Sequence, residues 1–153
     1  SLESSQLQTR NPLCQHDLVI SCIVSEKIAN EERSLLREFP LTIRAAFAEF
    51  GPRTTIDGIL IHPIIAGPEF DVPRTEKISY SRKDKGIRIW MTLDHSAWER
   101  SDLNGKADLM VQSIGQALDM ISNKRLPAGT KTEIMAIIGA CKKSVLQKLR
   151  LLH

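Results

Sequence analysis

The chain has 153 residues, of which 42% are hydrophobic, 25% charged and only 5% aromatic. A single domain of that size buries roughly 70% of the surface it exposes when unfolded, so it needs neither a metal nor a disulfide to fold, and wholesale disorder is excluded. The net charge of +3 is milder than a dedicated DNA binder usually carries, and no apolar run approaches the roughly 18 residues of a membrane span.

The polar start, "SLESSQLQTRNPLCQHD", lacks the apolar stretch of a signal peptide. Residues 1–16 are read as a loose arm or a cloning remnant, and 17–153 as one domain. "DLVISCIV" from Asp17 is rich in β-branched residues and reads as a buried strand. A helix follows, with Leu35, Leu36, Phe39, Ile43, Ala46, Phe47 and Phe50 at helical spacing, Asn30 as N-cap and Gly51 as stop. Pro40 removes a backbone donor, so a kink or two short helices is expected there.

"TTIDGILIHPII" alternates around Ile56, Ile59 and Ile61 and reads as a second strand, with Pro63 at its end or on a sheet edge. After the Gly- and Pro-containing loop "AGPEFDVPRTE", the stretch "KISYSRKDKGIRIWMT" gives the clearest hairpin signal, with "RKDKG" as the turn. Alternation sets Ile87, Ile89 and Met91 on one face, and Arg88, Trp90 and Thr92 on the other. Asp94 or Ser96 caps the next helix, which "NGK" at Asn104–Lys106 is expected to interrupt. The main helix then carries Leu109, Met110, Ile114, Ala117, Leu118 and Ile121. Thr130 and Glu133, spaced as a capping box, open the last helix, whose face is Ile134, Ile137, Ile138, Cys141, Val145 and Leu149. This order predicts an α+β fold: an antiparallel sheet including a central hairpin, packed against several helices.

The chemistry-bearing residues form no recognisable catalytic set. Asp94, His95 and Glu99 lie where a strand hands over to a helix, and capping explains them more simply than acid–base work. A hydrolase or transferase would need them joined to further polar groups in a pocket. His16, His62, His95 and His153 show neither HxH nor HxxxH spacing, which predicts no metal and no cofactor. Phosphate-binding glycine loops and a GxSxG elbow are absent. Cys14, Cys22 and Cys141 form no CxxC pair, which suits a reducing, cytoplasmic compartment.

Two basic clusters stand out: Lys77, Arg82, Lys83, Lys85 and Arg88 on the hairpin, and Lys142, Lys143, Lys148 and Arg150 on the last helix. They suit a phosphate backbone or an acidic protein surface, or form a solvated face. Trp98 is expected to plug the sheet–helix seam. Trp90, on the more polar side of its strand, is the candidate anchor for a partner or for the N-terminal arm.

The residues "KISYSRKDKGIRIWMTLDHSAW", followed by "KADLMVQSIGQALDMI", resemble a bacterial polymorphic-toxin immunity protein family over about a third of the chain. The shared order is a hairpin with Tyr and Lys on its first strand, a second strand ending in Asp and an aromatic residue, and a helix with a Leu/Ile face. His95 stands where that family usually has Tyr, and Trp98 where it usually has Phe. The resemblance implies a cytoplasmic, non-enzymatic protein that binds and neutralises a cognate toxin domain, and it transfers no contact residue; occlusion of the toxin is the mode of neutralisation expected here. From the residues themselves, Tyr80, Arg88 and Trp90 are the expected anchors, with Lys83 and Lys85 steering. The alternative is a nucleic-acid-binding module using the two basic clusters. A free sheet edge would also suit a homodimer.

Overall fold

The computed structural model describes residues 17–24, 30–54, 56, 58–65, 77–81 and 86–152. Five strands and four helices occur among them: β1 (Asp17–Ile20), β2 (Ile23–Val24), α1 (Asn30–Phe50), β3 (Gly58–Ile65), β4 (Lys77–Ser81), β5 (Gly86–Thr92), α2 (His95–Arg100), α3 (Leu103–Asp119) and α4 (Ala128–Leu152). The strand order is β1-β3-β5-β4, and β2 continues the β1 side of β3. The N-terminal arm, the "AGPEFDVPRTE" loop and Arg82 to Lys85 of the turn lie outside the described residues.

The α+β class, a sheet packed against helices, is what the structure has. The hairpin is present too, β4 pairing antiparallel with β5. The rest of the sheet departs from expectation, because β1, β2 and β5 all run parallel to β3. The reason is topological. Helix α1 carries the chain from the end of β1 and β2 back to the start of β3, which makes those pairs parallel. Strand β5 runs parallel to β3 because its antiparallel hairpin partner β4 lies on its far side. Within the hairpin, β5 is interior and β4 forms the rim.

Pro63 therefore sits in a central strand, opposite Met91 of β5. The sheet accommodates it by breaking the ladder on the other side. Ile20 pairs with Ile61 and Ile23 with Ile64, so the gap between β1 and β2 falls where Pro63 has no N–H to offer. The Ser21 amide still donates to the Ile61 carbonyl at 2.9 Å before the pairing lapses.

Pro40 does not divide the first helix, which runs unbroken through it. Tertiary packing outweighs the one lost bond: Leu35, Phe39, Ile43 and Phe47, one stripe at four-residue spacing, are all fully buried. Phe50, expected on that face, is exposed at the last turn. Gly51 ends the helix, its amide donating to the Phe47 carbonyl at 2.8 Å. A Cβ at Gly51 would stand 2.4 Å from that same oxygen, so the close approach requires glycine.

The break between α2 and α3 falls at Ser101–Asp102 rather than at "NGK". Asp102 caps α3 by accepting from the Gly105 amide at 2.8 Å, which places Asn104, Gly105 and Lys106 inside the first turn. Helix α4 likewise begins at Ala128, before the anticipated capping box, with the Pro127 carbonyl accepting from the Lys131 amide at 3.0 Å.

Helix α1 packs on β1 and α3 on β3 and β5, while α4 packs on both α1 and α3. The core is thus a sheet face of Leu18, Ile20, Ile59, Ile61, Ile87, Ile89 and Met91 under an aliphatic helical layer. Each such side chain contributes about 1.5–3 kcal/mol by leaving water.

Candidate protein-binding face

Strand alternation leaves a second set of side chains on the side of the sheet away from the helices. The β3–β5 register places Leu60 beside Arg88 and His62 beside Trp90. These four differ sharply from their neighbours one residue along: Arg88 is exposed, and Leu60, His62 and Trp90 are half-buried. Ile64, next on that side, is fully buried yet stands outside the main apolar cluster.

Trp90 is held within a row. The His62 ring stacks on it with centroids 5.6 Å apart and planes 25° from parallel. The Arg88 guanidinium carbon lies 5.8 Å from the indole centroid, two residues away on the same strand and face. His62 is itself fixed from the next strand segment, Nδ1 lying 3.1 Å from the Ser21 carbonyl oxygen. A carbonyl only accepts, so Nδ1 is the donor in this contact. The arrangement is a flat aromatic platform with one cation beside it. Such groups bind protein surfaces with little loss of side-chain entropy, because β-sheet packing already holds the rings.

Tyr80 does not join this row. It pairs with Ile87, and directly opposite residues of an antiparallel pair share a face. Tyr80 therefore projects to the helix side, at the rim, where it stays 43% exposed with the Arg125 guanidinium 4.5 Å from its ring centroid. Of the expected anchors, the fold unites Arg88 and Trp90, adds His62, and sends Tyr80 to the opposite side. Lys83 and Lys85 lie outside the described residues. Nothing in the spacing of His62 marks it; only the parallel register brings it to Trp90.

The other candidates resolve into structure. Asp94 is the N-cap of α2, accepting from the Ser96 and Ala97 amides at 3.0 and 3.3 Å. His95 and Glu99 form an i,i+4 pair at 3.5 Å, with Glu99 largely exposed. Trp98 is buried in the seam, donating to Glu32 at 3.5 Å, with the Lys106 ammonium 5.8 Å from its ring centroid. Lys106 also pairs with Glu32 at 3.5 Å and donates to the Ser101 carbonyl at 2.6 Å, which satisfies a charge that burial alone would penalise. On α4, Lys142 is committed to Asp108 at 2.6 Å and Lys148 to Glu38 at 3.5 Å. Among the described residues no three His, Cys, Asp or Glu side chains are grouped to hold a metal ion, and no helix is long and apolar enough to cross a membrane.

The family model of immunity protein 44 matches residues 16–144. The chain belongs to the immunity protein 44 family. The match takes in β1 through most of α4, well beyond the third of the chain that carried the resemblance in sequence. No curated protein and no solved structure matches the chain. Within the matched span lie most of the helix-covered core and the whole Arg88–Trp90–His62 row.

Proposed function

We propose that this immunity-family protein acts in the bacterial cytoplasm, binding a cognate toxin domain of a polymorphic toxin system and neutralising it by occlusion, without catalysis of its own. The family match over residues 16–144 carries the reading. The sheet side bearing Trp90, Arg88 and His62 is the contact face, because it sets a large ring and a cation on a rigid support away from the helices. A standard interface of roughly 1,600 Å² in total would cover this face and its surroundings. Hairpin lysines Lys83 and Lys85 would speed the encounter with an acidic partner, more than they hold it.

The test is to co-express the domain encoded immediately upstream with this protein and to titrate the purified pair by calorimetry at two salt concentrations. Stoichiometric binding together with rescued growth supports the proposal. Failure to bind, or binding without rescue, contradicts it.

A further inference from the structure

Arg88 is the exposed member of the Arg88–Trp90–His62 row. Register sets its neighbours on that side of the sheet: half-buried Leu60 on β3, exposed Ser79 on β4, and Trp90 further along its own strand. Strands β3, β4 and β5 contain no Asp or Glu, so the three strands that display this cation have no carboxylate of their own to offer it. The acids that form ion pairs among the described residues, Glu32, Glu38, Glu99 and Asp108, all belong to the helices.

What such a cation takes follows from its chemistry and its surroundings. A guanidinium carries its donors in a planar fork that matches a carboxylate bidentately, which an ammonium does not. The Arg88 head group lies 5.8 Å from the Trp90 indole centroid, and that indole is itself stacked by His62. Packing on a ring removes part of the side chain's freedom before a partner arrives, and the apolar neighbours strengthen any charged hydrogen bond formed there. A phosphate backbone, by contrast, is gripped by several cations in line. Arg88 is the one cation among the described side chains of this row, with Leu60 and Trp90 around it. That setting favours a single acid of a protein surface.

We infer that Arg88 receives an Asp or Glu carboxylate of the toxin domain, while Trp90 seats the apolar side chain that flanks this acid. This rests on the toxin-binding reading and names the chemical group recognised on the sheet side. Arg88 is then the residue that selects an acidic partner, and Trp90 supplies contact area whatever the charge.

NMR of the Arg88 Nε–H group and calorimetry on the full chain test it, with the domain encoded immediately upstream as the probe. The Nε–H signal should shift on forming the complex, and Arg88→Gln should weaken binding about tenfold or more with an unchanged unfolding curve. Arg88→Lys should lose nearly as much, because the charge survives and the fork does not. Replacing the acids of the upstream domain singly by Asn or Gln should reveal one whose loss weakens binding to the wild type but not to Arg88→Gln. Wild-type affinity in Arg88→Lys, or no acid that couples to Arg88, overturns carboxylate recognition and leaves toxin binding standing. An RNA oligonucleotide that displaces the domain and shifts the same Nε–H signal assigns Arg88 to phosphate and also overturns it. Failure of the wild-type pair to bind overturns the parent reading and this inference with it.

Discussion

The two sides of the sheet are built from the same strands and differ in almost everything else. Toward the helices, Ile59, Ile61, Ile87, Ile89 and Met91 are buried among aliphatic side chains. Away from them, one residue along each strand, stand Leu60, His62, Arg88 and Trp90, half-buried or exposed. Alternation with a period of two lets stability and recognition be carried by interleaved residues of one backbone. Changes on one side should therefore register mainly as unfolding, and changes on the other mainly as lost binding.

The largest effect should come from the seam that closes the helix side. Trp98→Ala removes a buried indole and should cost about 3–5 kcal/mol of stability by denaturant unfolding. A small loss would mean that the α2 turn contributes little to the core. On the other side, Trp90→Ala should weaken partner binding by about 2 kcal/mol while shifting folding stability by no more than about 1 kcal/mol. Should its unfolding free energy fall as far as that of Trp98→Ala, the proposed separation between the sides fails.

Smaller effects sharpen the contrast. The Ser113 hydroxyl oxygen is buried without a hydrogen-bond partner among the described residues, so Ser113→Ala should raise stability by about 1 kcal/mol in chemical denaturation. Burial pushes the Cys22 thiol up to about 12 and raises that of Cys141. Both should react slowly with a thiol reagent at pH 8 until the protein is unfolded. A folded pKa above the unfolded one means that the native state keeps its proton longer, so stability is full below about pH 9 and declines as pH rises toward 12. A native stability profile that is flat from pH 8 to 11 would contradict the assignment to Cys22.

Much of this was legible in the residues. Helical spacing located the buried stripe of α1 and the faces of α3 and α4, and alternation separated Trp90 from Ile89 and Met91. What local pattern could not show was which strands meet. The β1–β3 pairing depends on α1 returning the chain to the same end of the sheet, and His62 reaches Trp90 only because β5, and not β4, lies beside β3. Tyr80 illustrates the same limit. Nearness to Trp90 along a hairpin does not decide a shared face, and the β4–β5 pairing puts Tyr80 opposite Ile87. The misplaced start of α3 has a local cause, because the Asp102 carboxylate claims the cap before "NGK".

The central claim is that the Trp90 side of the sheet holds the toxin. Calorimetric titration of the upstream-encoded domain into the wild-type protein and into Trp90→Ala, with both unfolding curves recorded, tests it most directly. The account predicts tight one-to-one binding by the wild type and a dissociation constant about 30-fold higher for the variant, at nearly unchanged stability. Equal affinity for the two proteins would contradict it and place the toxin elsewhere on the molecule.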